Sequence, residues 1–229
     1  MEFQELNISK PLLNALDNMG FNHPTEIQKK AFPIIMSGRD VVGIAQTGTG
    51  KTLAYLLPLL RQLPYSEQRQ PRILVMVPTR ELVLQVAEEA RKLTAYMNVR
   101  IDGVYGGTNI NTQSERIYQG VDLLVATPGR LFDLVMRGTL RLKSIQKLVI
   151  DEVDEMLSLG FRHQLISILE LLPEKRQNLM FSATLADEVE SIIIDFFNEP
   201  EWIDIHYRGT PLTRISQKLF MLPNSATKY

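Results

Sequence analysis

The segment Ala45-Gln46-Thr47-Gly48-Thr49-Gly50-Lys51-Thr52 is the most informative part of the sequence. It follows a short β-branched run at residues 40–44 and opens a segment with helical periodicity. Its glycines let the backbone curl so that successive amides point at phosphate oxygens. The lysine can neutralise the outer phosphates, and the hydroxyl of Thr52 can ligate magnesium. The stretch therefore predicts a phosphate-binding loop between a strand and a helix.

One position departs from the usual phosphate-loop pattern, because Ala45 stands where a glycine is expected. The alternative interpretation is a glycine-rich turn from strand to helix that carries an exposed lysine. Since Gly50-Lys51-Thr52 lies in the strand-to-helix context that phosphate binding requires, we favour the phosphate loop.

A second candidate feature is the acidic end of an apolar strand, where residues 148–150 run into Asp151-Glu152-Val153-Asp154. In a parallel sheet this end faces the ligand-binding edge. Asp151 is suited to hold magnesium, commonly through water, and Glu152 can orient or deprotonate an attacking water. Alone, such a cluster is more often a solvated helix start. Together with the phosphate loop it favours a catalytic role.

The remaining chain alternates between apolar runs and segments with helical spacing. Strands are predicted at residues 40–44, 73–77, 99–104, 123–126, 148–150, 179–181 and 202–205, and helices include residues 80–96, 130–137, 162–172 and 187–197. Before the first strand, Ser9 is a candidate N-cap, Pro11 lies in the first turn and Gly20 follows the last periodic residue. Alternation of this kind predicts an α/β fold, with a parallel sheet flanked by helices on both faces.

Composition limits the possible classes of protein. The chain has 229 residues and 45% hydrophobic content, which is typical of one large domain. With no cysteine and three widely spaced histidines, any metal should have oxygen ligands. No apolar run is long enough for a bilayer and no secretory signal is present, so we expect a cytoplasmic protein without a membrane partner. A net charge of −1 argues against nucleic-acid binding by bulk electrostatics and requires local contacts instead.

A further motif, Gly20-Phe21-Asn22-His23-Pro24-Thr25-Glu26-Ile27-Gln28, is similar to the Q motif of DEAD-box RNA helicases. Over nearly its whole length the chain resembles the first, RecA-like domain of that family of ATP-dependent enzymes. The resemblance implies that Gln28 reads the adenine edge of ATP and that Phe21 stacks on the ring. Without it, Phe21 would be interpreted as a core residue and Gln28 as a surface residue.

Three short segments resemble the family elements that hold the RNA backbone, and each follows a predicted strand. They are Pro78-Thr79-Arg80-Glu81-Leu82, Gly106-Gly107 and Thr127-Pro128-Gly129-Arg130. Amides at helix starts, hydroxyls and guanidiniums of this kind can contact successive phosphates without reading bases. Each segment taken singly is better explained as a turn with an N-cap. Their joint occurrence in family order favours an RNA track with little sequence preference.

Ser182-Ala183-Thr184 resembles the family motif that bonds to the last aspartate of the acidic motif, here Asp154. This contact would couple the nucleotide site to rearrangement on RNA binding. The alternative is a simple helix N-terminal signal. Val153 stands where the family has alanine, and we interpret it as a packing variation that leaves the roles of the carboxylates intact.

The resemblance also implies a domain organisation. Residues 1–38 form a helical preamble that carries the Q motif, residues 39–208 form the ATP-binding domain, and residues 209–229 lead into a second RecA-like domain that the chain lacks. We expect ATP and Mg²⁺ as cofactors, RNA as partner, and very slow hydrolysis by the isolated chain. Two alternatives stay open: another P-loop ATPase, such as one acting on DNA, and a short adaptor that binds RNA or a protein without catalysis.

Overall fold

The computed structural model describes residues 2–205, which build one parallel sheet of seven strands in the order β3-β4-β2-β5-β6-β1-β7. Every strand pair in the sheet is parallel. The strands β1 to β7 are Val41–Ile44, Ile73–Met76, Ile101–Val104, Leu123–Ala126, Lys147–Asp151, Gln177–Ser182 and Glu201–Asp204. The predicted α/β fold is confirmed.

Nine α-helices within the described residues connect and cover the strands. A short 3-10 helix at Phe3–Leu6 precedes them, and α1 to α9 are Lys10–Asn18, Glu26–Met36, Lys51–Arg61, Arg80–Leu93, Ile110–Gln119, Pro128–Met136, Val153–Ser158, Arg162–Leu171 and Asp187–Phe196. Strand side chains alternate between two apolar cores, so Val41 faces one and Val42 the other. Helices α1 to α4 cover the first core, and α5 to α9 cover the second.

The N-terminal helices are part of the first core. Ser9 occupies the N-cap position of α1, as expected, and Gly20 follows the helix with φ of 74°. Helix α2 packs against α3, the helix that the phosphate loop opens. The Q segment, residues 20–28, is thereby held beside the phosphate loop.

Some elements differ from the sequence expectation for identifiable reasons. Strand β6 begins at Gln177, whereas the predicted strand begins at residue 179. The apolar pattern did not include Gln177 and Asn178 because they are polar, although both are buried and their side-chain amides are hydrogen-bonded. Helix α5 was not predicted, since it buries only Gln113 and Ile117 and therefore lacks a clear apolar stripe. Helix α4 ends at Leu93, where the next residue, Thr94, turns its hydroxyl back to the Ala90 carbonyl.

Because all seven strands run parallel, their carboxyl ends lie on one edge of the sheet. The phosphate loop and the acidic motif follow β1 and β5, whereas the candidate RNA segments follow β2, β3 and β4. Strands β2 and β5 are neighbours, so the two groups meet at the middle of the sheet. The expected lead-in at residues 209–229, and residues 206–208 of the expected ATP-binding domain, lie outside the described residues. None of the helices within residues 2–205 has the length and apolar character needed to cross a bilayer.

Candidate nucleotide and RNA site

The phosphate loop leaves β1 through Ala45, which extends the strand and donates its amide to the Ser182 carbonyl at 3.0 Å. Its methyl group is buried in the first core. Ala45 is not among the described residues with positive φ, so this position does not require the glycine of the usual pattern. The departure noted in the sequence is thus accommodated by packing.

Gly50, at the N-cap of α3, is a loop position where any other residue would be strained. Its φ is 90°, and a Cβ there would lie 2.5 Å from Nε2 of Gln28. The loop therefore passes directly against the Q segment. Gly48 also has positive φ, at 80°, which is consistent with a loop that curls its amides inward.

Lys51 is buried and paired with an acidic residue. Its Nζ lies 2.9 Å from Oε1 of Glu152, and the two side chains are 5% and 12% exposed. The expectation of a lysine at the phosphate position is compatible with this geometry, whereas the alternative of an exposed lysine is wrong. Removing one partner of such a pair would leave the other as an unpaired buried charge.

Asp151 lies beside this pair and is held by two donors. Its Oδ2 accepts the hydroxyl of Tyr55 at 3.1 Å, and its Oδ1 accepts the backbone amide of Glu152 at 3.0 Å. Burial raises the pKa of Asp151 to about 6, partly offset by the charge of Lys51. Burial, followed by the charge of Asp151, also raises the pKa of Tyr55 well above its ordinary range. Tyr55 was not found by sequence reasoning, although its position four residues after Lys51 places it on the same helix face.

Glu152 adopts the left-handed region, with φ of 54° and ψ of 48°. Such a conformation costs a non-glycine residue on the order of 1 to 3 kcal/mol, and it persists only where the surrounding structure determines it. Here it turns the chain from β5 into α7 and places the carboxylate against Lys51. Nothing in the sequence reveals this backbone state.

A cavity of about 450 Å³ connects these groups. The phosphate loop, the acidic strand end and the Q segment form most of its wall. Helix α4 closes one side with Leu82, Gln85, Val86 and Glu89. Glu89 therefore adds a carboxyl group to the cavity wall that no sequence motif indicates. Burial raises the pKa of this carboxyl group.

The Q segment enters the same cavity. Gln28 is 4% exposed, so its alternative interpretation as a surface residue is wrong. Its Oε1 accepts the Thr25 amide at 2.9 Å, and its Nε2 donates to the Gly50 carbonyl at 3.1 Å. Phe21 is 40% exposed and lines the cavity, so its alternative as a core residue is also wrong. Phe3 also lines the cavity but, unlike Phe21, is buried.

The oxygen donors near the phosphate loop fit a magnesium ion bound together with nucleotide phosphates. They are the hydroxyl of Thr52 and the carboxylates of Asp151 and Glu152. Within residues 2–205 no group of three or more His, Cys, Asp or Glu residues is placed to hold a metal. Magnesium commonly uses one or two carboxylates plus phosphates and water, so this donor set suits it.

The three candidate RNA segments lie side by side at the ends of β2, β3 and β4. Thr79 caps α4 by accepting the Leu82 amide at 3.3 Å, so the N-cap interpretation holds for this residue. The Arg80 guanidinium lies 5.1 Å from the centre of the Tyr105 ring. Gly106 and Gly107 are exposed at the end of β3.

The third segment begins with Thr127 at the N-cap position of α6 and continues with Pro128 as the first helical residue. Thr127 makes no side-chain capping bond within the described part of the chain. Gly129 and Arg130 follow in the first turn, and both are half-buried. The Arg130 guanidinium reaches back to the loop after β3, where it donates to the Thr108 carbonyl at 2.9 Å.

The expected contact of Asp154 is made by Thr184. Both the amide and the hydroxyl of Thr184 donate to Oδ2 of Asp154, at 3.1 and 2.8 Å. Ser182 is the last residue of β6, and its buried hydroxyl has no hydrogen-bond partner among residues 2–205. Helix α9 begins only at Asp187, so the triplet is not a helix N-terminal signal. Val153 is fully buried in the second core, which accommodates the extra methyl groups.

A parallel sheet whose carboxyl edge carries a phosphate loop beside an acidic strand end defines a P-loop nucleotide-binding fold of the RecA-like type. The family model described as "DEAD/DEAH box helicase" matches residues 25–192. The chain therefore belongs to the DEAD/DEAH box helicase family, which confirms the resemblance seen in the sequence.

Several curated proteins and solved structures are similar to the chain. It is 40% identical over 215 residues to "DEAD-box ATP-dependent RNA helicase CshA" of Geobacillus kaustophilus, covering 94% of this chain and 46% of that protein. It is 42% identical over 216 residues to "ATP-dependent RNA helicase DeaD" of Escherichia coli, covering 94% of this chain and 34% of that one. The crystal structure of a DEAD box protein from Methanococcus jannaschii superposes with a TM-score of 0.85 at 36% identity, over 89% of this chain and 56% of that one. The chain thus spans less than half the length of the two curated relatives.

Proposed function

We propose that this chain is the ATP- and RNA-binding N-terminal domain of an ATP-dependent RNA helicase, which couples ATP hydrolysis to RNA unwinding in the full-length protein. The observation that carries the proposal is the buried pair of Lys51 and Glu152 beside Asp151, in a cavity that Gln28 also lines. We also propose a cytoplasmic location, which detection of the protein in cell fractions would test.

ATP binding would begin with an exchange of partners at Lys51. The terminal phosphates carry more negative charge than the Glu152 carboxylate, and the loop amides add further donors. Lys51 would therefore turn to the phosphates and release Glu152. The freed carboxylate is then able to orient a water near the outer phosphate and accept its proton at a carboxylate oxygen.

Thr52 and Asp151 are the residues that we propose to hold magnesium. The ion supplies neutralisation of phosphate charge and orientation of the phosphate oxygens. The hydrogen bond from Tyr55 and the amide of Glu152 hold the Asp151 carboxylate in one orientation. Because these two hydrogen bonds fix the Asp151 carboxylate, it would not need to reorganise when a magnesium ion binds.

RNA would bind along the segments that begin at Pro78, Gly106 and Thr127. Their arginines and loop amides are chemically suited to phosphate oxygens and carry no pattern for base edges. Binding should therefore depend little on sequence. Asp154 and Thr184 form the contact between the acidic motif and β6, and we propose that it couples the two sites.

Nucleotide titration tests the proposal directly. The 229-residue polypeptide should bind a fluorescent ATP analogue in the presence of magnesium, prefer adenine to guanine nucleotides, and bind single-stranded RNA at low salt. Tested alone, it should hydrolyse ATP very slowly. An arginine supplied to the transition state contributes about 10³ to 10⁵ in rate in related NTPases, and the family resemblance implies that a second RecA-like domain supplies it. RNA-stimulated hydrolysis that Lys51→Ala abolishes would refute that last expectation, and exclusive binding of DNA would refute the RNA assignment.

A further inference from the structure

Gln113 belongs to none of the sequence motifs described above, yet it is one of the most buried polar residues between positions 2 and 205. It lies on α5 and is 2% exposed. Its Nε2 donates to the Tyr105 carbonyl at 3.1 Å and to the Thr108 hydroxyl at 2.7 Å. Its Oε1 accepts Nη1 of Arg130 at 2.8 Å. A single side-chain amide is thereby hydrogen-bonded both to the loop after β3 and to Arg130 on α6.

These bonds enclose the exposed glycine pair. Tyr105 and Thr108 flank Gly106-Gly107, and Gln113 donates a hydrogen bond to each of these two residues. Arg130 makes a further hydrogen bond to the same loop by donating to the Thr108 carbonyl at 2.9 Å. The backbone amides of the glycine pair can thus be presented in a defined position even though the pair itself is exposed.

The network also reaches the segment after β2. The ring of Tyr105, whose carbonyl Gln113 holds, lies under the Arg80 guanidinium at 5.1 Å. Gln113 is consequently linked to all three candidate RNA segments, through Arg130, through the loop after β3, and through Tyr105 to Arg80.

We propose that Gln113 is a positioning residue that assembles these three segments into one rigid RNA-binding track. The inference rests on the proposed RNA-binding function and names a residue on which that function depends. With a net charge of −1, the chain has no excess of positive charge to hold RNA by bulk attraction. The affinity for RNA then depends on how well the fold positions a few hydrogen-bond donors. An arginine that is held in place loses less conformational entropy on binding than one that is free to rotate.

The competing explanation is that Gln113 only satisfies buried polar groups and so contributes to stability alone. A double-mutant cycle separates the two, because residues that act as a unit are not additive. Gln113→Met keeps a similar length and removes all three hydrogen bonds. It is combined with Arg130→Ala, and the dissociation constant for a fluorescent single-stranded RNA is measured by anisotropy at low salt.

If Gln113 acts through the track, Gln113→Met weakens RNA binding about five- to tenfold in the wild-type background, and clearly less in the Arg130→Ala background. The affinity for an ATP analogue stays within about twofold in both. An equal loss in both backgrounds, an unchanged RNA affinity, or a parallel loss of ATP affinity overturns the inference.

Gln177→Met is the matched control, because Gln177 is also a buried, hydrogen-bonded glutamine but lies at the amino end of β6, on the opposite edge of the sheet. It should lower the melting temperature and leave RNA affinity unchanged. If Gln113→Met does not fold, Gln113→Glu replaces it: the carboxylate still accepts from Arg130 but cannot donate to Tyr105 or Thr108, so a smaller loss is expected and an unchanged affinity overturns the inference. Failure of the proposed function is distinguishable, since the wild-type chain would then bind no RNA, or Arg130→Ala would bind it normally.

Discussion

The two halves of the carboxyl edge hold their charges differently. At the ends of β1 and β5, Lys51 and Glu152 form a pair that is almost fully removed from solvent. At the ends of β2 and β4, Arg80 is exposed and Arg130 half-buried, and their described partners are neutral: an aromatic ring, an amide and a carbonyl.

This difference has physical consequences. Charges in a low-dielectric site interact strongly and are little screened by salt, whereas exposed charges interact weakly and lose most of their effect as salt rises. Substitutions that remove a charge at the ends of β1 and β5, the nucleotide half, should therefore have large effects that salt does not remove. Those that remove a charge at the ends of β2 and β4, the RNA half, should have moderate effects that salt abolishes.

The largest effect is expected from Lys51→Ala. The substitution removes the cation that would meet the phosphates and leaves Glu152 as an unpaired, mostly buried carboxylate. Affinity for an ATP analogue should fall about 100-fold or more, with RNA affinity within about twofold. Fluorescence titration measures both. Lys92→Ala, a change of an exposed lysine on α4, is the control and should alter neither affinity. A loss that disappears at high salt would contradict the comparison.

Gln28→Leu is expected to rank next. The side chain touches both the cavity and the Gly50 carbonyl, so the change should weaken ATP binding about tenfold and abolish the preference for ATP over GTP. Competition titrations with the two nucleotides give the answer. An equal loss for ATP and GTP would mean that Gln28 acts only by supporting the phosphate loop and does not recognise adenine.

Arg80→Ala tests the RNA half. Loss of one exposed cation should weaken RNA binding about fivefold at low salt and reduce the slope of log K against log salt by about 0.7 for single-stranded RNA. At high salt the variant and the wild type should converge. Arg91→Ala, which removes an exposed cation from the opposite end of the same helix, is the matched control. If the loss persists at high salt, Arg80 is not a simple phosphate contact.

The smallest effect is expected from Tyr55→Phe. It removes one hydroxyl that donates to Asp151 and leaves the ring packed against Phe181. Because a typical hydrogen bond contributes about 1 kcal/mol, ATP affinity with magnesium should fall about three- to fivefold. Affinity in the presence of a chelator should not change. Equal losses with and without magnesium would show that Tyr55 contributes to packing or to the loop and not to the proposed magnesium site.

The sequence predicts those parts of the candidate site whose residues are adjacent along the chain. The glycines, Lys51 and Thr52 of the phosphate loop lie within one short segment, and Asp151 and Glu152 come at the end of an apolar strand. Strand and helix alternation was equally visible, because buried parallel strands are continuous apolar runs. Helix α5 was missed because its buried face consists of one polar and one apolar residue, Gln113 and Ile117.

The remaining features depend on residues that meet only after folding. Tyr55 reaches Asp151 across 96 positions, and Thr184 reaches Asp154 across 30. The alternative interpretations of Phe21 and Gln28 were decided by exposure, which no local pattern reports. The left-handed backbone of Glu152 is likewise imposed by the turn from β5 into α7.

The fold class, the family, and the phosphate loop and acidic motif can be predicted from the amino-acid sequence, because they depend on local patterns of residue type and spacing. How the charges are held depends on tertiary contacts. It buried Lys51 against Glu152, and it brought Gln113 on α5 against Arg130 on α6 and the loop after β3. Burial and these hydrogen bonds arise because the parallel sheet aligns the carboxyl ends of its strands, which brings different segments of the chain together.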